Sequence, residues 1–453
     1  MSIFQFKIFK DSIHYKIVFL IWALIDTLTV GQKITKYFST VLIIWGVILI
    51  IQNIINNTRK INRVTLVAII IFLTVYTVTI VINRENNLIA NIKTLIWQSI
   101  MMLVLFVIEE YKSKADIIND VLKICRIVVK VSFIFSIVSI LLFLLNIKYI
   151  DTRVDGVNIY QGYHYARLWG IYVDPNQASV VAQVSIMTSI ILLIYRKEKK
   201  YKLVIFNIIV QYIYIVLAAS RGGEISFIIV LFLIGYLFID YKFILNKITL
   251  SIISLVVALL IILSASPTRA LLVIIPEVST KVRNEISENT KFNITNANEN
   301  IIVDRRDLDS SNGRITLWKD GLRLIRFSPI IGFGDRNIPI KAAEYTPGST
   351  LENKTVHNGF IHLVMSGGVI ALISMGILVF SAVKKSIRIL LRSRMKNKDF
   401  YIINSTSVII GILLCTSIFL TEIFYKNSFS STAFWIFLGF NMYLSNEYLR
   451  FSK

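Results

Sequence analysis

The amino-acid sequence predicts an all-α polytopic membrane protein with about twelve transmembrane helices and one large extracytoplasmic loop. Of its 453 residues, 55% are hydrophobic and only 17% are charged, and the mean hydropathy is +0.68. A water-soluble fold cannot bury so large a share of apolar side chains, so lipid must act as the solvent. A helix crosses the hydrocarbon core with about 20 residues. The chain offers such apolar runs repeatedly, separated by short polar breaks.

The apolar runs place the predicted helices along the chain. In order, they are Ile17–Val30, Tyr37–Ile51, Val64–Ile82, Leu88–Ile108, Ile127–Leu145, Ala178–Tyr195, Leu203–Ala219, Ile225–Ile239, Ile248–Leu263, Gly359–Val383, Ile402–Leu420 and Ser431–Leu444.

Lysine and arginine alternate between rich and poor from one connecting loop to the next, which is typical of a multispanning protein in the cytoplasmic membrane. This bias predicts that both termini are cytoplasmic. The chain then divides into helices 1 to 9 over residues 1–263, a large outer loop over 264–356 and helices 10 to 12 over 357–453. Shorter outer segments are Asp151–Gln177, the Ser220–Glu224 turn and Tyr425–Ser430.

The net charge of +22, from 49 basic and 27 acidic residues, would suggest a nucleic-acid partner in a soluble protein. Here the positive-inside bias explains it, so no nucleic acid is expected. The two cysteines form neither a disulfide framework nor a metal cluster. The sequence also lacks a phosphate-binding loop, a zinc-protease motif and a nucleophile elbow, which excludes those mechanisms.

Three residues on the predicted outer face could carry chemistry. Arg221 precedes two glycines and a helix start, which favours anion binding, although an arginine at a helix end also snorkels to the lipid boundary. Arg314 follows Gly313 and opens an amphipathic segment. A non-catalytic contact with a lipid headgroup is the alternative interpretation of this arginine. His357 stands where the large loop enters the tenth helix, suited to take a proton from an alcohol near neutral pH, although a capping histidine is usually structural.

Further polar and aromatic residues surround these three. Asn358 lies beside the histidine, while His362, five residues deeper, is interpreted as a packing or hydrogen-bonding residue. The segment Gly313–Phe327 is predicted to form an interfacial amphipathic helix. Its apolar face is predicted to hold Ile315, Trp318, Leu322 and Ile325.

The outer segment Tyr163–Gln177 supplies Arg167, several aromatic rings and an Asp-Pro-Asn turn that ends at Asn176. Tyrosine and tryptophan commonly form belts at the membrane interface. The same rings can also stack on the apolar faces of sugars. Both interpretations of this segment stay open.

Four motifs occur in order: Arg-x-x-Gly ending in Pro-Asn, from Arg167 to Asn176; Ser-Arg-Gly at Ser220–Gly222; Gly-Arg with a later Trp and Pro-x-x-Gly-x-Gly, from Gly313 to Gly334; and His-Asn-x-Phe at His357–Phe360. In sequence, spacing and predicted topology the chain resembles the O-antigen ligase and polymerase superfamily over about Arg167 to Gly368.

The resemblance implies a glycosyltransferase of the second membrane-embedded GT-C class that needs no metal or other cofactor. Its substrates would be glycans linked to undecaprenyl diphosphate, and its active site would face the outside. Arg221 and Arg314 would neutralise the leaving diphosphate, and His357 would orient or deprotonate the acceptor hydroxyl. Arg167, Asn176, Trp318 and Asn358 would contact substrate. The bilayer is a further expected partner, and the resemblance leaves room for a chain-length regulator.

The motifs do not separate a polymerase, which joins lipid-linked repeat units, from a ligase, which transfers finished glycan to another acceptor. Usage rich in isoleucine, asparagine and lysine suggests an AT-rich genome, common among bacteria without lipid A, and this favours a polymerase for capsule or O-antigen-type glycan. A twelve-helix transporter or lipid-oligosaccharide flippase is the main rival, although no internal repeat is evident. A non-catalytic scaffold would leave the clustering of Arg221, Arg314 and His357 accidental.

Overall fold

The structure, a computed structural model, describes residues 11–55, 61–152, 156–195, 201–242, 246–290, 313–392 and 397–451. Residues 291–312 of the predicted outer loop lie outside this description. The described chain is mostly helical.

The helices are α1 Ser12–Ile25, α2 Thr29–Ile55, α3 Arg63–Ile82, α4 Leu88–Ile100 with a π-helical turn Met101–Leu105, α5 Lys114–Leu144, α6 Pro175–Tyr195, α7 Tyr201–Ala218, α8 Arg221–Lys242, α9 Lys247–Leu263, α10 Ala265–Thr290, α11 Arg314–Ile325, α12 Ile338–Tyr345, α13 Gly359–Arg392, α14 Lys398–Thr416 and α15 Phe429–Phe451. Short 3₁₀ turns cover Asp335–Asn337 and Thr350–Glu352, and the strands are β1 Tyr149–Thr152, β2 Asn158–His164 and β3 Arg167–Gly170.

Within the described ranges, 9 helical segments are long and apolar enough to cross a membrane. One of them, Lys247–Pro276, runs through α9 into α10, beyond the predicted end of the ninth helix at Leu263. The predicted first helix Ile17–Val30 is wrong as a single element. The chain turns at Asp26–Leu28 between α1 and α2, where Thr27 Oγ1 donates to Leu24 O and the Thr27 carbonyl accepts from Val173 N.

The helices pack into two compact units. Unit 1 comprises Met1–Ala23, Phe38–Val121 and Asp309–Lys453; unit 2 comprises Leu24–Tyr37 and Leu122–Leu308. The division of the chain by membrane side, into residues 1–263, 264–356 and 357–453, stays a prediction.

Unit 2 also contains a small antiparallel sheet of order β1-β2-β3, which the sequence analysis did not predict, within the mostly helical fold. Its strands are rich in tyrosine and other residues that favour extended backbone. Tyr165 and Ala166, both with positive φ, form the tight turn between β2 and β3. The segment after β3 returns to the α1–α2 turn through a bridge between Leu28 and Tyr172.

Unit 1 is organised around a break in α13 at Gly368, whose φ of 71° and ψ of −178° are not helical. A break of this kind frees backbone groups, and apolar surroundings require that those groups find partners. The loop after α11 supplies them. Phe333 N and Gly334 N donate to the carbonyls of Met365 and Ser366, at 2.8 and 2.9 Å. In return, Val369 N donates to the Pro329 carbonyl at 2.8 Å.

The amphipathic helix predicted over Gly313–Phe327 is present as α11, and the face that it packs against the protein differs from its predicted apolar face. Ile315 and Leu322 are 56% and 55% exposed. The buried stripe is instead Leu317, Gly321 and Leu324, with Trp318 and Ile325 partly buried at its edge. Gly321 explains the difference, because it lets α11 approach α13 so closely that a Cβ there would lie 2.7 Å from Ile361 Cγ2.

Two glycines of α13 provide a matched test of the break. Gly368→Ala should destabilise the protein by at least about 1–3 kcal/mol, because only glycine readily adopts this backbone conformation. An added Cβ would also overlap Ile330 O. Gly376→Ala meets nothing within 4 Å in helical backbone, so it should be neutral or stabilising by up to about 1 kcal/mol. Thermal unfolding in detergent measures both; equal melting temperatures would contradict a structural role for the break.

Candidate functional site

In unit 2, the Ser220 side chain fixes the start of α8. Its Oγ accepts a hydrogen bond from Gly223 N at 3.1 Å, which is the contact of an N-cap residue. The same hydroxyl donates to Asn176 Oδ1 at 2.9 Å. Ala219 before it adopts a positive φ of 48°, which turns the chain sharply between α7 and α8. Ser220 therefore joins the start of α8 to the first turn of α6.

Arg167 joins the same hydrogen-bonded chain from β3. Its Nη2 donates to Asn176 Oδ1 at 2.6 Å and its Nε donates to the Ala218 carbonyl at 2.9 Å. The residue is only 7% exposed. Arg167 and Asn176, both predicted to bind substrate, thus contact each other and hold the Ser220 turn in place. A direct substrate contact by either residue stays a prediction.

Arg221 is the first residue of α8, immediately after this cap, and is half-buried. The backbone N–H groups of a first helical turn carry partial positive charge, which adds to the guanidinium charge. Gly223 is required here because a Cβ would overlap Ser179 Oγ. Glu224, one residue further on, pairs with Arg269 of α10 at 3.2 Å. The turn therefore presents Arg221 from a tightly packed backbone.

In unit 1, Arg314 is the first residue of α11 and follows Gly313, whose φ is 69°. The guanidinium carbon lies 5.8 Å from the centre of the Phe419 ring, within the range of a cation–π contact. In the middle of α11, Asp320 Oδ2 accepts hydrogen bonds from Thr350 N and Thr350 Oγ1. Burial alone would raise the pKa of Asp320, but these hydrogen bonds and Arg323 lower it.

His357 lies immediately before α13 in a left-handed conformation with φ of 46°, and is half-buried. The next residue, Asn358, is buried and caps the helix: its Oδ1 accepts from Phe360 N and Ile361 N, both at 3.0 Å. Gly359 N donates to the Ser417 carbonyl at 2.6 Å. His357 is thus held at a fixed helix start. The Asn358 amide oxygen caps that helix.

Trp318, the other predicted substrate-binding residue of α11, packs against the hydrophobic cluster under that helix. The cluster contains Leu317, Leu324, Phe333, Ile338, Ala342, Leu351, Val356 and Met365. Trp318 therefore helps to seat α11, and its contact with substrate stays a prediction.

A connection between α14 and α15 brings these parts of unit 1 together. The eleventh helix is predicted to end at Leu420, but α14 ends at Thr416, so residues Ser417–Ser428 form a longer connection than predicted. Phe419 of this connection lies against Arg314, and the Ser417 carbonyl accepts from Gly359 N. Phe424 contacts Phe360 with ring centres 5.9 Å apart. The connection thus contacts both α11 and the start of α13.

Asp335 and Lys426 have no role among the predicted site residues, yet the structure joins them in a buried charged cluster. The Asp335 side chain is 0% exposed. Its Oδ1 accepts from His362 Nε2 at 2.8 Å and from Lys426 Nζ at 3.0 Å, and Arg336 Nε lies 3.0 Å from Oδ2. The interpretation of His362 as a hydrogen-bonding residue is confirmed. The only sequence signal for Asp335 was its position directly after the Gly-Phe-Gly turn.

Burial alone would raise the pKa of the Asp335 carboxyl. Lys426, His362 and Arg336 outweigh burial and hold that pKa well below its usual range. The carboxyl is therefore a carboxylate at every physiological pH. A buried carboxylate surrounded by cations is stable only while its partners stay in place.

The seven predicted site residues thus fall into two sets, each assembled within its own unit. Arg167, Asn176 and Arg221 meet at the Ser220 turn of unit 2. In unit 1, Arg314 and the His357–Asn358 helix start both adjoin the connection Ser417–Ser428, and Trp318 seats α11.

Residues 206–376, a little more than a third of the chain, match a family model described as O-antigen ligase. The matched range contains Arg221, Arg314, Trp318, His357 and Asn358. No curated protein matches the chain. The match supports membership of the O-antigen ligase and polymerase superfamily and, with the apolar helices, a multi-pass bacterial membrane protein.

The depressed pKa of Asp335 makes stability depend on pH in a defined direction. The unfolded carboxyl, with an ordinary pKa of 3.8, binds a proton more readily than the folded one, so stability is lost as pH falls below about 4. The melting temperature of the wild type should therefore fall more steeply than that of Asp335→Asn between about pH 5 and pH 3. Parallel curves would show that the Asp335 charge does not contribute to stability.

Proposed function

With residues 206–376 assigned to the O-antigen ligase and polymerase superfamily, we propose that this chain is a polysaccharide polymerase of the bacterial cytoplasmic membrane. It joins oligosaccharide repeat units carried on undecaprenyl diphosphate into a surface glycan of the capsular or O-antigen type. The reaction takes place at the outer face of the membrane. It uses protein cations instead of a metal ion.

One observation carries the proposal. Arg314 and the His357–Asn358 helix start belong to α11 and α13, which pack closely at Gly321, and both adjoin residues Ser417–Leu420. A guanidinium and an imidazole at the starts of neighbouring elements are groups that can serve transfer from a lipid diphosphate. One stabilises a leaving anion, and the other accepts a proton.

In the reaction, an acceptor hydroxyl oxygen attacks the anomeric carbon of the donor sugar. The bond between that carbon and the phosphate oxygen breaks, and undecaprenyl diphosphate leaves with both bonding electrons. Negative charge grows on the departing oxygen, where the Arg314 guanidinium can donate two hydrogen bonds in a fixed planar geometry. The family resemblance assigns Arg221 to the same diphosphate.

His357 has the complementary task. The acceptor hydroxyl becomes a better nucleophile as its proton passes to the imidazole ring, and general base catalysis of this kind contributes about 10²–10⁴-fold to a rate. The structure supports this role through rigidity: Asn358 caps α13 directly behind His357, and Gly359 is bonded to Ser417. A base held in this way loses little freedom when it engages the substrate.

The reaction class can be tested with purified protein in detergent or liposomes. Given undecaprenyl-diphosphate-linked repeat units alone, the protein should produce a ladder of lengthening lipid-linked glycans, separated by gel electrophoresis. Movement of the repeat units across liposomes without new glycosidic bonds would instead identify a flippase. No reaction and no movement would refute both assignments.

Substitutions test the residue roles in the same assay. Arg221→Ala and Arg314→Ala should each lower kcat by about 10²–10³-fold, the usual effect of removing one donor to a developing anion. His357→Gln should lower kcat by about 10²–10⁴-fold. Arg323→Ala is the matched control, because Arg323 is an exposed arginine of the same helix as Arg314. A normal ladder from the triple variant of Arg221, Arg314 and His357 would overturn the catalytic assignment.

Chelation tests the proposed metal independence. Because guanidinium groups stabilise the leaving diphosphate in this mechanism, excess EDTA should leave the initial rate within about twofold of its value without chelator. A rate that collapses with EDTA and returns with added Mg²⁺ would contradict the assignment of this task to arginines.

A ligase is the second candidate, since the matched family model is described as O-antigen ligase. The two activities differ in the acceptor. A ligase given lipid-linked glycan makes no ladder by itself and transfers the glycan only when a separate acceptor, such as a lipid A core, is added. The same purified protein therefore distinguishes them by the presence or absence of products in the acceptor-free reaction.

A further inference from the structure

The cluster around Asp335 joins three segments of unit 1 that are distant in sequence. Asp335 follows the loop that fills the break in α13, His362 lies in the first turns of α13, and Lys426 lies in the connection Ser417–Ser428. A single oxygen, Asp335 Oδ1, accepts from both His362 Nε2 and Lys426 Nζ, at 2.8 and 3.0 Å. The carboxylate thus fixes the connection relative to the helix that begins at Gly359.

Neighbouring backbone contacts hold the carboxylate itself in place. Asp335 N donates to the Tyr76 hydroxyl at 3.2 Å, and Arg336 N donates to Asn91 Oδ1 at 3.1 Å. The Tyr76 ring stacks on the Tyr425 ring with centres 4.4 Å apart. Tyr425 directly precedes Lys426 in the chain. The position of Asp335 is therefore set by α3 and α4 and does not depend on Lys426.

The cations outnumber the charge they neutralise. The single Asp335 carboxylate is paired with both Lys426 and Arg336, and the two cationic side chains are 26% and 51% exposed, while the carboxylate is fully buried. An ammonium group has three N–H donors, and one of them serves Asp335. The cluster therefore leaves positive charge at the surface of the connection that also adjoins Arg314 and Gly359.

We propose that Asp335 is a positioning residue for the transfer reaction: it holds the Lys426 ammonium in place as an additional cation for the diphosphate of the lipid-linked donor. This inference rests on the proposed function for the identity of the ligand. It adds to that function a residue that does not touch the substrate, Asp335, and one that does, Lys426.

Binding of undecaprenyl diphosphate to the full-length protein in detergent provides a test that does not require turnover. Lys426→Met and Asp335→Asn should each weaken binding by about 10-fold or more, as expected for a lost or misplaced charge-assisted hydrogen bond. Lys426→Arg, which keeps a cation, should retain most of the affinity. Glu344→Gln is the matched control: it removes a carboxylate paired with Lys341 at 2.7 Å in the same unit, but at the surface.

The double variant Asp335→Asn/Lys426→Met distinguishes a role of Asp335 in positioning Lys426 from a role in stability alone. Removing both members of the pair avoids an unpaired buried charge, so the melting temperature should recover relative to Asp335→Asn. If Asp335 acts through Lys426, binding stays as weak as in the worse single variant, and the rate of glycan elongation stays about 10- to 100-fold below wild type. Recovery of wild-type binding with stability would show that the cluster is only structural and would overturn the inference.

The binding measurement also distinguishes this inference from the proposed function. A wild-type protein that elongates no glycan, yet binds undecaprenyl diphosphate in a Lys426-dependent manner, would refute the polymerase and support the cation site. A wild-type protein that elongates glycan, with Asp335→Asn unchanged in both affinity and rate, would support the polymerase and refute the positioning role.

Discussion

The break in α13 at Gly368 is the constraint on which unit 1 depends. A helix that crosses an apolar environment can be interrupted only where another segment satisfies the freed N–H and C=O groups. Here the loop Pro329–Gly334 does so with four backbone hydrogen bonds, and the positive φ of Gly332 and Gly334 lets it approach the helix. The Pro-x-x-Gly-x-Gly motif is thus explained by backbone geometry. Because Asp335 directly follows this loop, the hydrogen bonds of the loop to α13 also restrict the position of Asp335.

Each of the two units places an arginine at the first residue of a helix. In unit 2, Arg221 follows Ser220, whose side chain caps α8; in unit 1, Arg314 opens α11 after a glycine with positive φ. Both arginines therefore extend from the first turn of a helix, where the backbone itself favours anions. In unit 2, Asn176 accepts hydrogen bonds from Arg167 and Ser220, and these contacts fix the turn that precedes α8. In the proposed reaction, rigid placement would matter because a preorganised positive charge needs no reorganisation when negative charge develops on the leaving group.

Features that depend on local composition could be predicted from the sequence. The apolar runs locate helices, and Gly313 with the amphipathic pattern predicts α11. Its buried face could not be predicted, because two apolar stripes were available and only the close approach of α13 at Gly321 selects Leu317 and Leu324. The break at Asp26 depends on a hydrogen bond to distant Val173, and the Asp335 cluster joins residues up to 91 positions apart. Such pairings leave no periodic signal in the chain.

Under the proposed function, the charge balance of the Asp335 cluster would affect how the protein binds a diphosphate. Free cations at the surface would attract any anionic headgroup of the surrounding lipid, whereas a fully buried carboxylate beside Lys426 and Arg336 reduces that indiscriminate attraction and fixes the direction of the remaining donors. In the proposed site, selectivity for a diphosphate would come from the geometry of the donors more than from charge alone. A diphosphate, with several oxygens at fixed separation, can engage more than one fixed donor, while a single phosphate ester of a bulk lipid engages fewer.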